Sequence, residues 1–182
     1  MIAGPSGVGK GSVVHALLSR DPEGLARSVS ATTRPPRTAE VDGQDYLFVD
    51  DAAFDRMVAG DAFLEWAEVF HGRRYGTPSL PVERARAAGR DVVLEIDVQG
   101  AAQVRERAPD AVLILLEPPS LAALEARLRG RGTEDERSLH ERLAAAEREL
   151  AQASWFDHVV VNDDLERATA EVAAIIERSR TL

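Results

Sequence analysis

The most informative segment of the chain is Gly4-Pro5-Ser6-Gly7-Val8-Gly9-Lys10-Gly11-Ser12. It satisfies the pattern G-x-x-x-x-G-K, in which glycines let successive backbone N–H groups turn toward an anion. The apolar spacing that follows predicts a helix over residues 10–20, whose N-terminus directs its positive dipole end at the same anion. Lys10 is the single lysine among 22 basic residues. The stretch predicts a nucleotide-phosphate site; the alternative is a glycine-rich turn with an exposed lysine.

Two features depart from the usual form of this loop. The position after the lysine, where Ser or Thr normally holds Mg²⁺, is Gly11, so Ser12 becomes the candidate Mg²⁺ contact through water. Only residues 1–3 precede the loop, where a buried strand of about five residues is expected. We therefore expect either that the native protein begins further upstream or that this strand is short.

Composition excludes several classes of protein. The 182 residues are 45% hydrophobic and 29% charged, as in a globular domain rather than a disordered or collagen-like chain. The absence of cysteine excludes disulfides and thiolate metal sites, and the four histidines form no spaced cluster. The net charge of −9 argues against a nucleic-acid partner, and the longest apolar run is too short to span a membrane. We expect a cytoplasmic location.

Strand-like and helix-like segments alternate along the chain, which predicts an α/β fold with a P-loop parallel sheet flanked by helices. Strands are predicted at 91–97, 111–116 and 157–161, and helices at about 99–107, 120–129 and 165–180. Two segments break the alternation. Residues 30–75 look antiparallel, with short strands at 27–31, 46–49 and 63–70 around a helix at 51–60. Residues 121–150 look helical and rich in charge, and both segments are interpreted as insertions that form lids.

The first insertion begins Ser30-Ala31-Thr32-Thr33-Arg34-Pro35-Pro36-Arg37. Together with the P-loop, this stretch resembles the guanylate kinase family, bacterial type, among the P-loop nucleoside monophosphate kinases. Further motifs follow in the family's order at 63–68, 75–77, 94–100, 127–134 and 161–165. The resemblance implies that ATP phosphorylates GMP or dGMP, with Mg²⁺ as cofactor. It also implies a core at 1–29, 78–120 and 151–182, a mixed α+β GMP-binding insertion at 30–77 and a helical lid at 121–150.

Two arginines frame a pair of prolines in that first motif. The stiff turn presents Arg34 and Arg37 to one neighbourhood, which suits the dianionic phosphate of GMP because guanidinium forks bind phosphate oxygens in pairs. Ser30 and Tyr46 can add neutral donors, and the resemblance adds Tyr75. The alternative is an exposed loop whose arginines pair with neighbouring carboxylates, at Glu40 and Asp42.

Guanine presents two donors, N1–H and an exocyclic amine, which a buried carboxylate can accept. The resemblance assigns Glu65, Thr77 and Asp97 to the base. From strand alternation alone, Glu65 would be a solvated residue beside a core-packing Trp66. Asp97 follows a strand of the parallel sheet, where ligands gather, and could instead hold magnesium through water.

The charged segment carries the arginines that would stabilise phosphoryl transfer. The resemblance places Arg37, Arg131 and Arg142 on the phosphates, beside the catalytic Lys10. It extends the ATP site from the loop to Arg127, Asn162 and Asp163. The alternatives are a solvated helix with i,i+4 pairs at Glu125/Arg129 and Arg137/Glu141, and an Asn-Asp turn that only punctuates a loop.

Two rival functions remain open. A scaffold domain of similar sequence would bind partner peptides, but such domains have degraded phosphate loops, whereas this one is intact. A related kinase could phosphorylate another acceptor, such as a ribose bisphosphate, and would have no need of Glu65 and Thr77. Oligomeric state is not decided by the sequence.

Overall fold

The computed structural model describes residues 1–69, 72–130 and 136–181. The predicted phosphate contact of Arg131 therefore lies outside the described residues. So do the last residue of the strand predicted at 63–70 and parts of the motif at 127–134 and of the helical segment at 121–150. The chain forms two compact units. The loop unit contains Met1–Pro22, Glu95–Val98 and Asp110–Leu182, and the second unit contains Glu23–Leu94 and Gln99–Pro109.

The described residues form nine β-strands and seven α-helices. The strands are β1 (Ile2–Ala3), β2 (Leu25–Arg27), β3 (Ala31–Thr32), β4 (Leu47–Phe48), β5 (Phe63–Val69), β6 (Arg73–Pro78), β7 (Asp91–Val93), β8 (Ile114–Glu117) and β9 (His158–Val161). The helices are α1 (Lys10–Arg20), α2 (Asp51–Ala59), α3 (Ser79–Ala87), α4 (Val98–Arg107), α5 (Leu121–Arg129), α6 (Glu136–Leu150) and α7 (Leu165–Ser179). No helix of the described residues is long and apolar enough to cross a membrane.

The loop unit is built on a parallel sheet in the order β1-β8-β9. Strand β8 lies in the middle, and its apolar side chains are buried on both faces, as the continuous apolar run predicts. The predicted strand at 111–116 is nevertheless wrong at its start. The backbone N–H of Leu113 donates to the Asp157 carboxylate at 2.8 Å, and regular pairing begins only at Ile114. The α/β prediction with a parallel sheet is confirmed.

The helices of the loop unit bury their predicted apolar faces. Helix α7 buries Val172 and Ile175, and Asp164 caps its N-terminus by accepting a hydrogen bond from the Arg167 N–H. Helices α5 and α6 share a cluster of buried apolar side chains: Leu124, Leu128, Leu139 and Ala146. The helical prediction for 121–150 is confirmed at 121–129 and 136–150, and so are its two i,i+4 ion pairs at 3.0 Å.

The second unit contains two sheets. A mixed sheet has the order β4-β3-β6-β5, and a parallel pair joins β2 to β7. The prediction of one strand at 27–31 is wrong, because β2 and β3 belong to different sheets and residues 28–30 connect them. The antiparallel prediction is also wrong in one place, since β3 and β4 run parallel.

The predicted strand at 91–97 is interrupted for a similar reason. Residues 91–93 pair with β2 in the second unit, whereas Glu95 forms an isolated bridge with Ile2 in the loop unit. The change of partner falls at Leu94, so one apolar run serves two pairings. Helix α3 was not predicted, and it has no fully buried residue to give it a periodic signal.

Candidate active site

The glycine-rich loop connects β1 to α1, as the sequence predicts. Gly9 stands immediately before α1 with φ of 101°, a left-handed conformation that favours glycine. A Cβ atom added there would lie 2.4 Å from Nδ2 of Asn162. Both the backbone angle and the close neighbour therefore require glycine at this position.

The Val8 carbonyl is held by two side chains from distant parts of the chain. Asn162 Nδ2 donates to Val8 O at 2.7 Å, and Arg127 Nη1 donates to the same oxygen at 3.2 Å. Arg127 Nη2 also donates to the backbone oxygen of Asn162 at 2.7 Å. Because C=O and N–H point in opposite directions across a trans peptide, the N–H of Gly9 is aimed away from Asn162. Asn162 and Arg127 thus set the direction of one of the loop amides.

Lys10 lies across the start of the loop. Its Nζ donates to Gly4 O at 2.6 Å and to Pro5 O at 3.3 Å. The ammonium group is therefore held against the backbone at the start of the glycine-rich loop. Loop and lysine together provide a concentrated positive potential at the N-terminus of α1.

Arg142 of α6 also reaches this loop. Its Nη1 donates to the Ser6 hydroxyl oxygen at 2.8 Å. The two residues are predicted members of the ATP and transfer machinery, and the structure brings them together. Asp163 is exposed and pairs with Arg167 at 2.5 Å, and the hydrogen bond from Arg167 lowers the pKa of its carboxyl.

Two carboxylates near the start of α1 were missed from the sequence. A Cβ atom added to Gly11 would lie 3.3 Å from Oε1 of Glu95, so Glu95 flanks the position where Ser or Thr is usual. Burial raises the pKa of Glu149, while the charge of Lys10 opposes that rise and the charge of Asp97 reinforces it. A sequence signal exists for Glu95, which lies two residues before Asp97 in the motif at 94–100. No such signal marks Glu149, which looks like any other charged residue of a helix.

No group of three or more His, Cys, Asp or Glu side chains suited to a metal occurs in the part of the chain that is described. Mg²⁺ that arrives with a nucleotide takes most of its ligands from phosphate and water, and one or two from protein carboxylates. The Glu95 carboxylate beside Gly11 and the exposed Ser12 hydroxyl suit that coordination.

In the second unit, Glu65 and Thr77 face each other across β5 and β6. The Thr77 hydroxyl donates to Glu65 Oε1 at 2.7 Å, and both side chains are buried, with Glu65 4% exposed. The solvated alternative for Glu65 is therefore wrong. Glu65 shares the buried face of β5 with Phe63 and Ala67, whereas Trp66 on the other face is 37% exposed.

Arg34 lies among the tyrosines that the sequence predicts around a phosphate. Its Nε donates to the Tyr75 hydroxyl at 3.1 Å, and its guanidinium carbon lies 5.4 Å from the centre of the Tyr46 ring. The two tyrosine rings meet edge to face with centroids 5.8 Å apart. Ser30 is held nearby because its carbonyl accepts from the N–H of Leu47 at 2.9 Å.

Arg37 differs from Arg34 in its surroundings. Its side chain is 75% exposed, with Glu40 at 4.0 Å, whereas Arg34 is 13% exposed and forms a 2.7 Å ion pair with the same carboxylate. Of the alternative with an exposed loop, the pairing with Glu40 is thus confirmed for Arg34, but the Arg34 side chain is not exposed, and the Asp42 carboxylate accepts from the Phe48 N–H at 2.9 Å. Of the two arginines predicted to bind phosphate, Arg34 is therefore held by its neighbours, whereas Arg37 faces solvent. Asp97 belongs to the loop unit, where it stands one residue before α4.

A glycine-rich loop between the first strand of a parallel sheet and a helix, with a lysine across it, defines a P-loop nucleotide-binding protein. Comparison with known proteins narrows this class. The guanylate kinase family model matches residues 1–179. The chain therefore belongs to the guanylate kinase family of enzymes.

Individual relatives agree with that assignment. Guanylate kinase of Carboxydothermus hydrogenoformans is 46% identical over 97% of this chain and 85% of its own length. The Thermobifida fusca guanylate kinase is 51% identical over 100% of this chain and 91% of its own. The crystal structure of guanylate kinase from Anaplasma phagocytophilum has a TM-score of 0.78 at 33% identity, covering 97% of this chain and 82% of that one. The resemblance inferred from the motifs is confirmed.

Proposed function

We propose that this chain transfers the γ-phosphate of ATP to GMP, giving ADP and GDP, and accepts dGMP as a second substrate. The buried Glu65–Thr77 pair carries the choice of acceptor. An ionised carboxylate accepts hydrogen bonds at both oxygens, which complements the N1–H and amine donors of guanine. Adenine has a hydrogen-bond acceptor at N1 instead, which would face the acceptor oxygens of the carboxylate and be repelled by them. Asp97 is proposed as a further contact of the base.

The acceptor phosphate is assigned to the cluster around Arg34 and the exposed Arg37. Two guanidiniums, the hydroxyls of Tyr46 and Tyr75, and Ser30 supply the donors that a dianionic phosphate needs. The close approach of Arg34, Tyr46 and Tyr75 supports this assignment. In the proposed reaction an oxygen of the GMP phosphate attacks the γ-phosphorus of ATP, the bond to the β-phosphate oxygen breaks, and ADP leaves.

The ATP phosphates are assigned to the loop of residues 4–12, through its backbone N–H groups (Pro5 has none), and to Lys10. Arg127 and Asn162 contribute through the Val8 carbonyl, which they hold. Arg142 lies at the loop and is proposed, with Arg37 and Arg131, to stabilise the charge that spreads over the transferred group. Asp163 stays a prediction from the resemblance alone.

Ser12 and Glu95 are the residues that would hold Mg²⁺ together with ATP. When bound, the ion neutralises charge on the phosphate oxygens. The chain's own groups position the two phosphates and offset their charge. The cytoplasmic location and the absence of nucleic-acid and membrane partners stay predictions.

The test is ADP production from MgATP with GMP, dGMP, AMP, UMP, CMP and a ribose bisphosphate offered separately. We expect turnover with GMP and dGMP and at most slow turnover with the others. Lys10→Ala should abolish turnover, and the matched control Arg20→Ala, which removes the same charge at the other end of α1, should retain it. Turnover with the ribose bisphosphate but not with GMP would show that GMP is not the acceptor. A folded wild-type protein with no turnover on any acceptor would favour the scaffold function.

A further inference from the structure

Glu40 is a carboxylate that the proposed function does not use, and it is bound on several sides. Its Oε2 accepts from Arg34 Nη1 at 2.8 Å and from the backbone N–H of Arg37 at 2.7 Å. Its Oε1 accepts from Arg34 Nη2 at 2.7 Å. The N–H of Glu40 in turn donates to Arg37 O at 3.0 Å. Glu40 therefore closes the turn that runs through Pro35 and Pro36.

The same contacts account for nearly all of the donors of Arg34. A guanidinium has five N–H groups. Here Nε–H binds Tyr75, Nη1 binds Pro35 O at 2.7 Å and Glu40, and Nη2 binds Glu40, so four of the five are engaged. The fork that could grip two phosphate oxygens instead grips the Glu40 carboxylate. Arg34 retains one N–H for a ligand.

We propose that Glu40 is a positioning residue for the acceptor phosphate: it locks Arg34 against Tyr75 and leaves the exposed Arg37 to provide the net positive charge. This inference rests on the proposed function. Arg34 and Glu40 cancel in charge, so the turn between residues 34 and 40 carries one uncompensated cation, Arg37. The phosphate then meets one fixed donor of Arg34, the ordered tyrosines and a solvent-facing guanidinium.

The opposite arrangement would have Glu40 act as a stand-in that the phosphate displaces. Displacement would break three hydrogen bonds to the Glu40 carboxylate at once: one from the Arg37 N–H and one from each terminal nitrogen of Arg34. Charge-assisted hydrogen bonds of this length are among the stronger ones in proteins. Hydrogen bonding to Arg34 also lowers the pKa of Glu40, so the carboxylate stays ionised at neutral pH and keeps the pair intact. The geometry therefore favours a fixed support over a removable plug.

The experiment compares Glu40→Gln with wild type and with Glu68→Gln, an exposed residue of β5 that loses the same charge. We expect Glu40→Gln to raise KM for GMP by about tenfold to a hundredfold, because one neutral amide replaces several charge-assisted bonds. KM for ATP should not change. The inhibition constant of guanosine, which lacks the phosphate, should also stay at the wild-type value. Glu68→Gln should match wild type in all three.

Three results would overturn the inference: an unchanged KM for GMP, a lower KM for GMP, and a parallel loss of guanosine binding. An unchanged KM would show that Glu40 has no role in binding GMP. A lower KM would show that Glu40 occupies the phosphate site and is displaced by GMP. A loss of guanosine binding would show that the substitution damages the structure more generally. Wild-type turnover of GMP is measured first, so its absence counts against the proposed function and not against Glu40.

A measurement on the wild type covers the case in which Glu40→Gln does not fold. The Nε–H resonance of Arg34, followed by NMR on protein labelled at arginine, should be protected from exchange with water and should stay protected when GMP binds. The Arg37 resonance should gain protection only with GMP. An Arg34 signal that is unprotected in the free protein, or loses its protection on GMP binding, would overturn the inference.

Discussion

The strongest prediction concerns the Val8 carbonyl, which accepts from both Asn162 and Arg127. Asn162→Ala removes one donor and Arg127→Met removes the other while keeping an unbranched stem. Asn162→Ala should lose about 1–2 kcal/mol of unfolding free energy, the usual cost of a hydrogen bond with partial loss of packing. Arg127→Met should lose at least as much, because it also loses its bond to the Asn162 backbone oxygen. Arg127 keeps its bond to the backbone oxygen of residue 162 in Asn162→Ala, because that oxygen is unchanged.

The double variant should be less stable than the sum of its parts. Val8 is fully buried, so water does not replace the missing donors, and its carbonyl would lose both at once. An orphaned buried carbonyl costs about 1–3 kcal/mol, which should appear as the coupling energy of the cycle. At about 2–4 °C per kcal/mol for a chain of this size, the coupling is measurable by thermal or urea unfolding.

The control is the same cycle with Arg129→Met. Arg129 is the neighbouring arginine of α5, but it pairs with Glu125 and Glu136 instead of the loop. That cycle should be additive. If the cycle of Asn162 with Arg127 is also additive within about 0.5 kcal/mol, the two side chains do not share the carbonyl in solution. Steady-state kinetics on the single variants should show a raised KM for ATP and an unchanged KM for GMP.

Three further predictions address other parts of the site. Gly9→Ala should destabilise the protein by at least about 1–2 kcal/mol in urea unfolding, because φ is left-handed and the new Cβ meets the Asn162 amide; unchanged stability would show that the loop adopts another conformation. Glu65→Gln should lower the preference for GMP over AMP in kcat/KM by about 1–3 kcal/mol, and Thr77→Val should act in the same direction; unchanged preference would remove the pair from the base site. Burial in the folded state raises the pKa of Glu149. The stability contributed by the protonated carboxyl is therefore present below the unfolded pKa and is lost as pH rises through the higher folded pKa. Glu149→Gln should therefore increase the free energy of unfolding at pH 7 and leave it nearly unchanged at pH 3; equal effects at both would exclude burial of the charge as the cause.

Local signals predict the elements whose surroundings do not change along their length. Helix α1 and helix α7 follow the predicted ranges closely, because each buries one apolar stripe from end to end. Strand β9 follows its prediction within a residue, because all four of its residues pair with the central strand β8. Here periodicity and packing agree, so the sequence alone is sufficient.

Two of the errors arise where the hydrogen-bond partner changes within a predicted strand. Residues 91–93 pair with β2, but Glu95 bridges to Ile2, and nothing in the run itself marks the change. The segment 27–31 fails in the same way, since one end belongs to the pair with β7 and the other to the mixed sheet. Strand partners are long-range properties, and side-chain alternation within a strand does not encode them.

Glu65 shows a second limit. Strand β5 offers two faces of similar hydrophobicity: Phe63 and Ala67 lie on one, and Leu64 and Trp66 lie on the other. Trp66 is the larger residue and draws the prediction toward its own face, which would leave Glu65 in solvent. The mixed sheet buries the Phe63 face instead, where Phe63 packs on Phe54 with ring centroids 4.7 Å apart. A carboxylate then enters the interior together with its hydrogen-bond donor, Thr77.

The phosphate loop combines both situations. Its pattern of glycines and lysine is local, so the presence of an anion site can be predicted from nine residues. Its shape is not local, because the Val8 carbonyl is held by a side chain 154 residues away. A chain that kept G-x-x-x-x-G-K but lost Asn162 and Arg127 would satisfy the pattern and still leave the Gly9 amide free to rotate away from the ligand. The motif therefore identifies where phosphate binds, while Asn162 and Arg127, which lie outside the motif, fix the loop conformation that binds the phosphate.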